Sequence, residues 1–217
     1  MHSKRIREKV KHDYDSIAEG FSESRQHAWP EFDAFVPYLK PDFKVLDLGC
    51  GNGRLLDFLK KQGVVSYVGV DQSKGLLTHA RRQFPEGAFV EGDMAELSGL
   101  ELPQEHFDAI FMMASFHHLP KSDQLSVLEM VRERLKPGGF LFMTNWNLFR
   151  FLFWKEWLKM FFKRPYGWKG LPVLWQNRVV RYYYAFSARE LRELFEKAGF
   201  ELLDLQVGRN LLTICKR

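Results

Sequence analysis

From residue 44 to residue 146 the chain alternates short apolar runs with stretches whose apolar positions recur at helical spacing. That alternation is the mark of βαβ units, which build a mostly parallel sheet. The pattern predicts strands over 44–49, 66–71, 88–93, 107–114 and 139–146, with helices between them over 53–62, 73–84 and 122–135. Gly63, Pro85 and the pair Pro137-Gly138 stop those helices, as residues that cannot continue the spiral should. A further helix is expected from Ser187 to about Ala198, with Glu190 placed to complete a capping box and Gly199 to end it. Two last apolar runs, 201–207 and 210–216, are separated only by Gly208-Arg209, which leaves room for nothing but a tight antiparallel hairpin. Ahead of this core, 4–19 patterns as a helix and 20–30 as a loop leading to a second helix; behind residue 146 comes an irregular aromatic segment.

The fold expected is a single α/β domain over residues 1–217: a seven-stranded, mostly parallel sheet with an antiparallel C-terminal hairpin. An N-terminal helical cap (1–40) and an insertion (147–184) decorate it. The length suits one domain with a sizeable core. Hydrophobic residues at 46% and charged residues at 27% fit a globular rather than a disordered chain. The basic N-terminus has no apolar segment behind it and does not read as a secretory signal. Arg150, Lys155, Glu156 and Lys159 interrupt the most apolar stretch, 148–162, which is not expected to span a bilayer. Cys50 and Cys215 are far apart and lack metal-ligand spacing, so free thiols, a cytoplasmic location and no metal site are expected.

The strongest local motif is Val45-Leu46-Asp47-Leu48-Gly49-Cys50-Gly51-Asn52-Gly53. A buried strand must turn sharply there into a helix whose backbone approaches a ligand, and glycine permits both. The spacing is GxGxG, not the GxGxxG that cradles a dinucleotide pyrophosphate. Carboxylates mark the ends of three consecutive strands. Asp47 suits a cationic amino-acid group, Asp71 beside Gln72 suits both ribose hydroxyls, and Asp93-Met94 could flank an adenine. With the later Leu135-Lys136-Pro137-Gly138-Gly139 turn, this set resembles the Rossmann-like class I methyltransferases. The resemblance implies S-adenosylmethionine as cofactor, held by Asp47, Gly49, Cys50, Gly51, Asn52, Gly53, Asp71, Gln72, Asp93 and Met94.

Three further segments bear on the methyl acceptor: residues 14–30 with Phe21-Ser22, Arg25 and Trp29-Pro30, then Ser115-Phe116-His117-His118-Leu119, then Arg181-Tyr182-Tyr183-Tyr184-Ala185-Phe186. In that order they resemble the tRNA wobble-uridine carboxymethyl methyltransferases, which esterify 5-carboxymethyluridine. The resemblance implies that Arg25, His117, His118, Arg181 and Tyr182 line the acceptor side, and that a small zinc-binding activator subunit serves as partner. The chain departs from the family pattern at Asn145-Trp146-Asn147, where a Trp-Ala-x-x-Gln segment is usual, and at Tyr184, where histidine is usual. A small-molecule or lipid-quinone methyltransferase is the alternative.

Charge is uneven. The chain carries +5, yet residues 147–184 alone hold eight Lys/Arg against Glu156, a local +7. Trp154, Trp157, Trp168 and Trp175 are interleaved with them. Cations for phosphates and rings for unpaired bases suit an anticodon loop. On a helical wheel Phe151, Trp154, Leu158 and Phe161 share one face and Lys155, Lys159 and Lys163 another. Such a helix could equally close over the core or lie on a membrane through 148–162.

Overall fold

The computed structural model describes residues 2–25, 29–64, 66–163, 166, 169–176 and 178–217. The core strands are β1 (Lys44–Leu48), β2 (Ser66–Asp71), β3 (Ala88–Glu91), β4 (Phe107–Met113) and β5 (Leu135–Trp146). Between and before them lie α1 (His2–Glu23), α2 (Arg54–Lys61), α3 (Lys74–Gln83) and α4 (Lys121–Arg134). After β5 come α5 (Trp154–Lys163), the strands β6 (Gly170–Trp175) and β7 (Val179–Tyr184), α6 (Ala188–Lys197), β8 (Glu201–Val207) and β9 (Asn210–Lys216).

Seven strands form one sheet in the order β3-β2-β1-β4-β5-β9-β8. The first five run parallel, and β9 pairs antiparallel with both β5 and β8. Val45, Leu46 and Leu48 of β1 are all buried because helices cover both faces. Leu46 and Leu48 join the cluster that holds Val10 of α1, Val127 and Val131 of α4 and Phe195 of α6. Val45 joins the opposite cluster with Phe58 of α2 and Phe32 and Phe35. The strand order reverses between β1 and β4, so a crevice opens at their carboxyl ends.

Several elements differ from the sequence expectation. The first helix does not stop at residue 19 but runs to Glu23 through Gly20, where a Cβ would stand 3.3 Å from the Trp175 ring. That glycine serves close packing and does not break the helix. The second helix is a 3-10 helix, Pro30–Tyr38, with Pro37 inside it. β5 begins at Leu135 and carries Gly138, at φ 77, within it; the ladder with β4 shifts register between Phe107 and Ala109. Only half of the capping box at α6 forms. Ser187 Oγ accepts the Glu190 N–H, while the Glu190 carboxylate accepts from Tyr184 Oη at 2.5 Å and pairs with Lys169 at 2.6 Å.

The described residues of the insertion form α5 and a separate two-stranded sheet, β6 with β7. Its inner side packs Leu148, Leu171, Val173 and Tyr183, with Phe153 and Trp157 against them. Trp157 Nε1 donates to the Leu148 carbonyl at 2.7 Å. Trp154 and Leu158, which the wheel would turn inward for a lid, are about half exposed, as is Phe149. Trp168 and Arg164 lie outside the described residues, as do the side chains of Phe151, Lys159, Phe161 and Lys163. No described helix is long and apolar enough to cross a membrane.

Candidate active site

The crevice is an open cleft walled by the ends of β1, β2 and β4, by α1 and by β7. Its floor is the turn after β1. Gly49, Gly51 and Gly53 all adopt positive φ (78°, 57° and 80°), and a Cβ on Gly49 would fall 2.3 Å from the Ser115 Cβ. No other residue fits there. Ser115 in turn donates its hydroxyl to the Leu48 carbonyl at 2.6 Å, tying the loop after β4 to β1. Ala114, just before it, holds φ 53, an uncommon backbone state of the kind that clusters at functional sites.

Acids at the strand ends face this floor. Asp71 accepts from Gly51 N and Ser73 N, both at 2.8 Å, and burial raises its carboxyl to about 6 against those bonds. Asp47 is buried; it accepts one hydrogen bond, from Tyr67 Oη at 2.9 Å, and burial pushes it up to about 7. Its Oδ1 has no partner among the described residues. Asp93 caps the following turn through Ala95 N at 2.9 Å and pairs with Arg7 at 2.7 Å. Arg7 also reaches Asp123 of α4 at 2.5 Å, so α1 is fastened both to the turn after β3 and to α4.

α1 is fitted to this floor by the motif that opens at Tyr14. Asp15 accepts from Ser73 Oγ at 2.7 Å and Gly75 N at 3.1 Å, and a Cβ on Gly75 would meet the Ala18 Cβ at 2.7 Å. Asn52 of the glycine turn donates to the Arg25 carbonyl at 3.1 Å and holds the end of the helix.

The remaining wall is built around Arg181. Its Nη1 donates to Tyr14 Oη at 3.0 Å, and the guanidinium lies 5.2 Å from the Tyr183 ring, 5.6 Å from Tyr14 and 5.8 Å from Trp146. Its Nε has no partner, and among the described residues no carboxylate lies in ion-pair range of it. His118 joins the same chain of bonds. Its Nδ1 sits 2.8 Å from the Tyr182 carbonyl, which can only accept, so Nδ1 carries the proton. Nε2 therefore accepts from Tyr14 Oη at 2.8 Å. Burial pulls His118 down to about 3, and the ring is neutral.

The structure brings twelve of the sequence-predicted residues into one cleft lining together: Arg25, His118 and Arg181 with Asp47, Gly49, Cys50, Gly51, Asn52, Asp71, Gln72, Asp93 and Met94. Gly53, His117 and Tyr182 do not line it. Gly53 turns instead toward Phe84 and Phe89. His117 is fully buried, accepts from Trp146 N at 3.3 Å and stacks on Tyr183 at 4.8 Å. Parity turns Tyr182 away from the cleft: successive residues of a strand face opposite sides, so Arg181 and Tyr183 share the cleft face while Tyr182 packs on Tyr166 in the core. Tyr14, Trp29, Arg54, Trp146 and Tyr183 line the cleft and were missed. Tyr14 and Trp29 stood inside a motif already noted, and Arg54 directly follows the third glycine of the turn. Gln26, His27 and Ala28 of that motif lie outside the described residues.

A methyltransferase domain family model matches residues 21–205. The chain is 32% identical over 197 residues to an Encephalitozoon cuniculi protein provisionally named a methyltransferase, covering 88% of this chain and 86% of that one. It is 29% identical to the tRNA (carboxymethyluridine(34)-5-O)-methyltransferase of Schizosaccharomyces pombe, covering 88% of each. A ubiquinone biosynthesis O-methyltransferase of Aliivibrio fischeri is 39% identical across 48% of this chain and 44% of its own. Among solved structures, the Burkholderia thailandensis 1,6-didemethyltoxoflavin-N1-methyltransferase with bound S-adenosylhomocysteine superimposes at TM-score 0.71 (21% identity, 99% of this chain, 90% of that one). A Haloferax volcanii methyltransferase-type protein in complex with the Trm112 methyltransferase activator gives TM-score 0.69 (20% identity, 95% and 96%). The cleft fits S-adenosylmethionine on its own terms. The glycine floor leaves space no side chain could share, and the orphaned Asp47 Oδ1 awaits a cationic donor beside it.

Proposed function

The chain belongs to the methyltransferase domain family and uses S-adenosylmethionine; on that premise we propose that it methylates the carboxylate of 5-carboxymethyluridine at the wobble position of tRNA, giving the methyl ester. Arg181 carries the reading. A buried cation without a carboxylate of its own is costly unless a ligand brings the anion, and a guanidinium suits a carboxylate by shape. The name of the fission-yeast relative points to the same acceptor.

The bound cofactor supplies an electrophilic methyl group. The acceptor carboxylate is already ionised near pH 7, so no general base is required. His118 agrees with this, since both its nitrogens are engaged and burial keeps it neutral. What the chain provides is alignment and exclusion of water: the Tyr14 hydroxyl and the rings of Tyr14, Trp146 and Tyr183 fix Arg181, and Arg181 fixes the anion. Held by the glycine turn with Asp47 and Asp71, the cofactor would give its methyl group to the carboxylate oxygen and would leave as the neutral thioether, with no proton for the chain to move. The basic, aromatic surface of residues 147–184 takes the anticodon loop, a small activator subunit belongs to the active form, and the location is cytoplasmic.

The test is transfer of labelled methyl into tRNA with and without 5-carboxymethyluridine, with the activator subunit supplied, followed by nucleoside mass spectrometry. The methyl ester is expected only in the modified tRNA. Arg181→Ala is expected to lower kcat/KM about 10- to 100-fold, the worth of a charged hydrogen bond, with cofactor affinity within twofold. The half-exposed Phe149, Trp154 and Leu158 and the more exposed Leu152 favour a second reading, a lipid-quinone acceptor. Co-sedimentation with liposomes and no methyl in any RNA would select it.

A further inference from the structure

Asp71, on the donor side of the cleft, and Arg181, on the acceptor side, are joined by a run of contacts through α1. Asp71 Oδ1 accepts from Ser73 N at 2.8 Å, and Ser73 Oγ donates to Asp15 Oδ1 at 2.7 Å. The same Asp15 oxygen accepts from Gly75 N at 3.1 Å, so a carboxylate of α1 caps the start of α3, where the helix dipole favours it. Tyr14 is the neighbouring residue of α1. Adjacent positions of a helix point about 100° apart, so Asp15 turns to α3 while Tyr14 turns to Arg181 and His118, at 3.0 and 2.8 Å. The two carboxylates also oppose each other. Burial raises Asp71 most, and the Asp15 charge adds to the rise. A group that donates hydrogen bonds to Asp71 offsets its charge and removes part of that repulsion. Elsewhere α1 is held by Arg7 to Asp93 and Asp123 and by Lys9 to the Val180 carbonyl, contacts that do not involve Asp71.

A cofactor ribose is such a donor, since its two hydroxyls can both bond one carboxylate. We propose that Asp15 is a positioning residue that couples the two sides of the cleft: with the ribose on Asp71, Asp15 holds α1 more firmly against α3, and Tyr14 in turn fixes Arg181. In the cofactor-free chain the like charges of Asp71 and Asp15 loosen that hold, and Arg181 is less firmly placed. The donor side thereby prepares the acceptor wall, and the favoured order of addition is donor first, acceptor second. Coupling between two binding sites is reciprocal, so an acceptor on Arg181 tightens the donor by the same factor. The link from Asp71 to Arg181 depends only on these contacts and on S-adenosylmethionine as cofactor; that Arg181 meets the acceptor rests on the function proposed above.

Hydrogen-exchange mass spectrometry of the full chain tests this, with and without saturating S-adenosylhomocysteine and with no acceptor. In wild type the ligand is expected to slow exchange at residues 49–53, in the glycine turn. It should also slow residues 10–20 and 179–184 by about fivefold or more, the lower end of usual coupling between sites. Asp15→Ala should keep the slowing at 49–53 and lose it at 179–184. Asp15→Asn keeps the acceptor oxygen and removes the charge; it should shrink the slowing at 179–184 and covers the case in which Asp15→Ala does not fold. A wild-type response confined to 49–53 would overturn the assignment. So would slowing at 179–184 that survives both substitutions in full. Loss at both places in Asp15→Asn would make Asp15 part of the donor site itself, which also overturns it. No acceptor enters the measurement, so the tRNA reading can fail while this one stands, and the reverse.

Discussion

Asp47 shows what one residue gives up for the site. Its carboxyl is pushed from about 3.8 to about 7 by burial, so the folded chain holds that proton more tightly than the unfolded one. The stability this group contributes is complete below the unfolded value and is lost as pH rises through about 7. Asp47→Asn is therefore expected to raise the melting temperature of the cofactor-free protein most at pH 8, by less at pH 5 and little at pH 3.5, each kcal/mol being worth roughly 2–4 °C in a chain of this size. Thermal unfolding at the three pH values checks it, and the same variant should bind S-adenosylmethionine poorly. Tyr14 is the other sensitive residue, because it accepts from Arg181 and donates to His118. Tyr14→Phe should cost about tenfold in kcat/KM by freeing Arg181, with the cofactor dissociation constant unchanged. At this scale the sequence disclosed residue types better than directions. Asp47 and Asp71 could be named from motif and spacing and Arg181 from the family resemblance, but the choice of Tyr183 over Tyr182 needs the parity of β7, which does not show until that segment is known to be a strand.

Among the elements, α1 is the part whose attachment decides whether the cleft closes. Asp15 caps the start of α3 and Ala18 lies against Gly75, so the helix sits as close as two backbones allow. Gly75→Val is expected to push α1 away, raise the cofactor dissociation constant at least about tenfold and expose residues 2–23 to limited protease, while the sheet keeps its circular dichroism. The core strands were legible because each is a short apolar run bounded by turn residues. The β6–β7 hairpin was not, since Arg181, Tyr182, Tyr183 and Tyr184 are all buried and the alternation that betrays a half-buried strand is missing. Gly20 misled for a related reason: it reads as a helix stop, and its cause is the distant Trp175 ring. Contacts made across the fold leave no local trace.

Over the whole molecule, the net positive charge comes from 147–184, the rest of the chain being slightly acidic, and Lys155 and Arg178 are exposed there. If tRNA docks on this surface, affinity should fall with salt, and Lys155→Ala and Arg178→Ala should each reduce the log–log slope by about 1. Filter binding between low and moderate salt measures it; an unchanged slope would move the RNA to another face. The two sides of the cleft also differ in where the chain encodes them. Every strand-end acid and glycine of the donor side lies between Asp47 and Met94, whereas the acceptor wall joins Tyr14 and Arg25 to Trp146, Arg181 and Tyr183. On the ribosome, then, all of the donor side has left the exit tunnel long before Arg181 is made. If Arg181 holds the acceptor as proposed, the strand-end groups for the methyl donor are written early, and the choice of acceptor waits until the last fifth of the chain returns to meet the first. Variation at the two ends can redirect such an enzyme to a new acceptor while the passage that binds the donor is left untouched.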